Sequence, residues 1–243
     1  MKTALTKRVL DMLTKLSKKK DYADFWSTFG PVIKEGLGED FSNKEKIAKL
    51  LRFSTTHTGE SKQDQSLDDY VARMKEGQDK IFYIFAENHK TAAHSPHLEF
   101  FKKEGIEVLL LSDRIDDWAM MQLAEYEGKK LQDVAKGDLT EGSDDAKKAQ
   151  ESLNQESEGL VERMQSCLSD HVAEVRASVR LIESPTCLVV GDYDMGAQMR
   201  RIMEAAGQTV PATKPILEIN PQHPLLQMLD AEADEDKFKD LAG

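Results

Sequence analysis

Apolar positions in the first sixty residues recur at helical spacing. Leu5, Val9, Met12, Leu13 and Leu16 form one such series, and Tyr22, Phe25, Trp26 and Phe29 form the next. A period near 3.6 predicts two amphipathic helices. The run "GPVIKEGLGED" punctuates the pattern, and "NKEKIAKLLRF" predicts a third helix. Residues 54–65, "STTHTGESKQDQ", are polar and without period, which predicts an exposed loop.

The pattern changes at Ser66. Ser66 and Asp69 stand at capping-box spacing, and Gly77 offers a stop for the helix between. "IFYIFA" (81–86) and "IEVLLL" (106–111) are short uninterrupted apolar runs, as expected of strands buried on both faces. Between them, Ser95 and Pro96 fit an N-cap and first helical residue, and Gly105 fits the helix end. Strand, helix and strand in this order predict a βαβ unit with a parallel pair. "DDWAMMQLAEYEG" predicts a further helix, and "LQDVA" a short strand of the same layer. Residues 137–158 are almost wholly polar and predict a domain boundary. Beyond them "LVERMQSCLSD" reads as helix, "VAEVRASVRL" as strand-like, "TCLVV" as a buried strand, and "DMGAQMRRIMEAAG" as helix. The predicted fold class is mixed α/β (α+β). N-terminal helices lead into a small α/β sandwich with a βαβ unit over residues 1–140, and a second mixed α/β domain spans 141–243.

Two of these helices carry an ambiguous face. On the segment 194–206, Met195, Met199, Ile202, Met203 and Ala206 share an arc of about 100°, with Arg200, Arg201 and Glu204 opposite. Such a stripe suits a core, and flexible, polarisable methionine also suits a surface that accepts partners of varied shape. On the segment 114–126, Ile115, Ala119, Leu123 and Tyr126 make a core stripe, while Trp118 and Met121 fall outside it, toward Asp117. Either a second layer covers them or a large aromatic stands at the surface.

Composition removes several function classes. The 243 residues are 40% hydrophobic, enough for real cores, and carry 44 acidic against 33 basic side chains. That balance lacks the positive footprint of a nucleic-acid binder or of a protein held on anionic lipid. No apolar run is long enough to span a bilayer, and the N-terminal stretch is amphipathic, so a cytoplasmic location is expected. Cys167 and Cys187 stand in no metal or CxxC spacing and are expected to be buried, reduced thiols. The turn after the first strand, "ENHKTAAHSPH", has no glycine to let a backbone approach phosphate. Its His89, His94 and His97 share no regular face across Pro96. "GDYDMG" lacks the ligand count of a calcium loop, and no GxSxG elbow occurs. No catalytic, cofactor-binding or metal-binding residue is assigned.

Six stretches in order, "IAKLLRFSTTHTG", "SLDDYVARMKEGQDKIFYI", "RIDDWAMMQLAEYEGK", "RLIESPTCLVV", "MRRIMEAAG" and "LEINPQHPLL", resemble signatures of the ninety-kilodalton heat-shock chaperones, most closely the bacterial HtpG type. The resemblance implies that residues 1–140 correspond to the later part of that family's middle domain and the remainder to its C-terminal domain. The family's ATP-binding domain and terminal dimerisation helices would lie outside this stretch. It implies a chaperone segment that holds non-native client proteins without being an enzyme itself. ATP and magnesium belong to the full-length family protein, with no cofactor in this stretch. Co-chaperones and a homodimer are partners of that full-length protein, and a monomer or weak association is expected here. Client contact falls on Met195, Ile202 and Met203 in the second domain, with Met199 core-facing. In the first domain it falls on Trp118 and its acidic neighbour Asp117, with Met121 standing where the family has a polar residue. Two rivals remain: a purely structural connector, and a doubly wound small-molecule enzyme.

Overall fold

The computed structural model describes residues 2–137, 144–191, 194, 200, 203–204, 207–208 and 213–243. The chain forms two compact units. Met1–His94 with Gly105–Asp133 make the first, and Ser95–Glu104 with the chain from Val134 onward make the second.

In the first unit, helices α1 (Lys2–Leu16) and α2 (Tyr22–Glu39) precede the short α3 (Lys44–Ala48). Of the α1 stripe, Leu13 is buried together with Leu10, whereas Leu5, Val9 and Met12 are exposed. The predicted interruption after Phe29 does not occur, because α2 runs on through Gly30 and Pro31. A proline inside a helix forfeits a hydrogen bond and crowds the preceding turn. Here one buried face continues across it through Tyr22, Trp26, Gly30, Lys34 and Leu37, and that burial outweighs the local cost.

Five strands form one sheet: β1 (Ser54–Thr55), β2 (Lys80–Phe85), β3 (Val108–Leu111), β4 (Glu125–Tyr126) and β5 (Lys129–Asp133), in the order β1-β3-β2-β5-β4. The predicted parallel pair is present, with Phe82 opposite Val108 and Phe85 opposite Leu111. Strand β5 adds a second parallel neighbour to β2. Helix α4 (Leu67–Ala72) carries the predicted capping box: Ser66 Oγ accepts from Asp69 N at 3.1 Å, and Asp69 Oδ2 accepts from Ser66 N at 3.0 Å. From α4, the Tyr70 hydroxyl donates to the carbonyl of Glu107 at 2.6 Å and accepts from Phe82 N at 3.0 Å. Burial pushes that phenol up to about 12, so it stays a donor at any physiological pH.

Two further expectations fail locally. Ser54 and Thr55, taken as loop, form a buried edge strand, in which Ser54 Oγ donates to the Leu110 carbonyl at 2.8 Å. Thr55 Oγ1 accepts from His57 N at 3.1 Å, so both hydroxyls are satisfied and polarity does not force them outward. The helix read over 114–126 ends at Leu123, where Ala124 adopts φ 54°. A tight β4–β5 hairpin follows, with Glu127 and Gly128 both left-handed at φ 48° and 74°, the geometry of a type I′ turn. Tyr126 is buried, but it reaches the core from a strand.

In the second unit, a 3-10 turn (Pro96–Leu98) capped by Ser95 leads into α6 (Glu99–Glu104); α5 (His89–Ala93) precedes it in the first unit. The polar stretch read as a boundary holds α8 (Asp144–Glu156), which is followed by α9 (Glu158–Leu168). Strands β6 (Glu174–Ala177), β7 (Thr186–Val189) and β8 (Ile216–Ile219) form a sheet ordered β6-β8-β7, with β6 parallel and β7 antiparallel to β8. Lying at the edge, β7 alternates: Cys187 and Val189 face inward, and Leu188 is 54% exposed despite the continuous apolar run. Helices α10 (Pro224–Asp230) and α11 (Glu235–Ala242) complete a core of Leu160, Met164, Val175, Leu217, Leu226 and Phe238. The Arg163 guanidinium lies 3.8 Å from the Phe238 ring centre.

A charged cluster is buried beside this sheet. Glu218, on the central strand, accepts from Arg176 Nη2 at 2.6 Å, Ser178 Oγ at 2.6 Å and Arg180 Nε at 2.9 Å. Arg180 also donates to the carbonyls of Val134 and Gly137, and its Nη1 lies 3.4 Å from His97 Nδ1. Nearby, Glu99 of α6 accepts the successive backbone N–H groups of Ile182 (2.6 Å), Glu183 (2.7 Å) and Ser184 (3.1 Å), and the Ser184 hydroxyl. Burial alone would raise the Glu99 pKa, but these donors outweigh it and hold the carboxyl below its usual value.

Candidate functional site

Helix α7 (Asp116–Leu123) carries the residues that the resemblance assigns to client contact in the first unit. Its N-terminus is fixed by a lysine. Lys34 of α2 is wholly buried, and its ammonium reaches Asp116 Oδ1 at 2.5 Å and Asp113 Oδ2 at 2.6 Å. The rings of Trp26 and Phe53 flank it, with centres 5.6 and 5.4 Å away. Gln63 continues the chain of bonds, accepting from Trp26 Nε1 at 2.8 Å and donating to Asp113 at 3.2 Å. Asp116 Oδ2 also accepts from the backbone N–H groups of Ser112 and Asp113. Burial raises the Asp116 pKa, and Lys34 opposes that rise. A buried pair held this way is costly to break from one side.

With that end pinned, the faces of α7 are set. Ala119, Met120 and Leu123 are buried in the core, and Met121 is 49% exposed. Asp117 is only 5% exposed. Its carboxylate and that of Asp133 act on Tyr83, whose hydroxyl is pushed upward mainly by burial and further by these two charges. Trp118 is half-buried and packs against the edge of the core. Its ring rests on Gly38 of α2: a Cβ built there would stand 2.4 Å from Cη2 and 2.5 Å from Cζ2. The helical wheel leaves cover and exposure open for the pair; the fold answers differently for each, with Trp118 partly covered and Met121 at the surface.

The second predicted group is described only at one point. Met203 is half-buried, and its carbonyl accepts from Gln208 N at 3.0 Å. Met195, Met199 and Ile202 lie outside the described residues. Asp117, Trp118 and Met121 thus share one helix of the first unit, and Met203 belongs to the second.

Sequence reasoning overlooked Lys34 and Met120. Lys34 stands eight positions after Trp26 on the same helical face, so a lysine at a core position was a readable sign of a buried acidic partner.

Among the described residues, no group of three His, Cys, Asp or Glu side chains could hold a metal ion, and no helix is long and apolar enough to cross a membrane. Both cysteines are free thiols. Cys187 is buried as expected and its pKa is pushed up to about 12, chiefly by burial, which makes it a poor nucleophile. Cys167 is half-buried.

The family model described as "Hsp90 protein" matches residues 1–242. With nearly the whole chain so matched, this protein belongs to the Hsp90 family.

Proposed function

We propose that this chain is a client-holding platform of a bacterial HtpG-type Hsp90, residues 1–140 corresponding to the later middle domain and 141–243 to the C-terminal domain. The observation that carries the reading is Met121, exposed beside the half-buried Trp118 on a helix whose other face is locked into the core. Asp117 is inward-facing and serves this surface from beneath. Met195, Ile202 and Met203 would form a second patch. Non-native polypeptides offer apolar side chains in no fixed arrangement, and a flexible methionine next to an indole can bury part of that area with weak sequence preference. Burial of a few hundred Å² at about 25 cal/mol per Å² gives several kcal/mol before ordering costs, which suits reversible holding. Clients and co-chaperones are the partners on this reading, in the cytoplasm. ATP, magnesium and the homodimer belong to the wider family architecture.

The test is a titration of a fluorescently labelled non-native client into the wild type, Trp118→Ala and Met121→Ala, with unfolding midpoints measured alongside. The reading requires several-fold weaker binding in both variants and an unchanged midpoint for Met121→Ala. Unchanged affinity in both would leave the structural-connector role, in which Trp118 serves only to join α7 to α2.

A further inference from the structure

We infer that Gly38 is a positioning residue for Trp118, one that sets how far the indole is retracted from solvent. Gly38 is not required by its backbone conformation. It lies within the regular part of α2 and is absent from the residues of positive φ, so its backbone conformation needs no glycine. A glycine inside a helix is disfavoured relative to alanine, which leaves space as the reason for it. The space is specific. A Cβ at Gly38 would fall 2.4 and 2.5 Å from two atoms of the Trp118 ring and 3.3 Å from Gln122 Cγ. Distances below 3 Å to a rigid aromatic cannot be relieved by small adjustments, so the ring must leave its seat.

Glycines elsewhere in the first unit give the contrast. At Gly59, Gly77 and Gly128 an added Cβ meets nothing within 4 Å, and φ is positive at all three, so they serve turns. Gly30, on α2 itself, faces the Trp26 ring at 2.9 Å, and there the indole is buried. Trp118 differs because it is half-buried on a helix that also exposes Met121 one turn later. With Gly38 present, the end of the indole lies against the α2 backbone. With alanine there, the indole swings toward solvent. Gly38 therefore controls the apolar area that Trp118 presents. That this area meets a client rests on the function proposed above; the seating of the ring does not.

The experiment compares wild type, Gly38→Ala, Trp118→Phe and the double variant. Trp118 emission and acrylamide quenching are read as the difference between each protein and its Trp118→Phe counterpart, which removes the constant signal of Trp26. Phenylalanine lacks the two ring atoms that meet the Cβ, so the clash is absent in the double variant. The expected result is red-shifted, more quenchable Trp118 emission in Gly38→Ala. In parallel, the client dissociation constant should change by about threefold or more, a coupling that vanishes in the Trp118→Phe background. Unchanged Trp118 emission and quenching in Gly38→Ala would overturn the inference. Shifted emission with unchanged client affinity would uphold the seating and count against the client role of Trp118. Should Gly38→Ala fail to fold, recovery by Trp118→Phe would still establish the ring as the cause, and failure of both would refute it.

Discussion

Lys34 and Asp116 meet at 2.5 Å with both side chains out of solvent, joining α2 to the start of α7. This pair decides which face of α7 turns outward. Lys34→Met should therefore destabilise the protein by about 3 to 5 kcal/mol, because it strands a buried carboxylate, as denaturant unfolding would measure. The pH dependence has a defined sign. Loss of the ammonium raises the Asp116 pKa further above its unfolded value, so the variant's deficit relative to wild type should shrink on acidification and grow as pH rises through the folded pKa.

His97 carries a second pH signature. Burial, with Arg180 adding repulsion, lowers its pKa from 6.5 to about 4, against the weaker pull of Glu218 and the Leu188 backbone. The neutral ring is favoured by folding, so its stability contribution is complete above pH 6.5 and is lost as pH falls toward 4. The loss across that window should be about 3 kcal/mol. Unfolding free energies of wild type and His97→Asn between pH 7 and pH 4 would check it, the variant being flatter by that amount.

Glu99 can be tested by exchange. Glu99→Ala removes the acceptor for three consecutive N–H groups, at a cost of about 1 to 3 kcal/mol. Amide hydrogen exchange at Ile182, Glu183 and Ser184 should accelerate together, and Glu99→Gln, which keeps one acceptor oxygen, should restore part of the protection.

Pro31 offers a gain. It occupies an exposed position inside α2 and supplies no N–H. Pro31→Ala should raise stability by up to about 3 kcal/mol, visible as a higher thermal midpoint.

Local signals carried much of the fold. The Ser66–Asp69 box, the Ser95–Pro96 helix start and the two apolar runs that pair as β2 and β3 are written in adjacent residues, and each is found where its pattern lies. What escaped reading depends on distant partners. Ser54 and Thr55 are buried because β3 accepts them, Pro31 is tolerated because Trp26, Lys34 and Leu37 share a covered face, and Leu188 is exposed because β7 is an edge. For the candidate site, the stripe on α7 was legible and the seat of Trp118 was not, since the seat is a glycine on another helix. Assignment of Trp118 to clients came from resemblance, which periodicity alone could not supply.

The crossover between β2 and β3 has a consequence for synthesis. Residues 95–104 lie within the stretch that completes the first unit, yet they pack with a unit whose remaining chain begins at Val134. On a ribosome, the residues of the first sheet are therefore made before Ile182, Glu183 and Ser184, the backbone donors that Glu99 holds in the finished protein. A chain released or cleaved before Ile182 emerges would carry the Glu99 carboxylate without its three backbone amides.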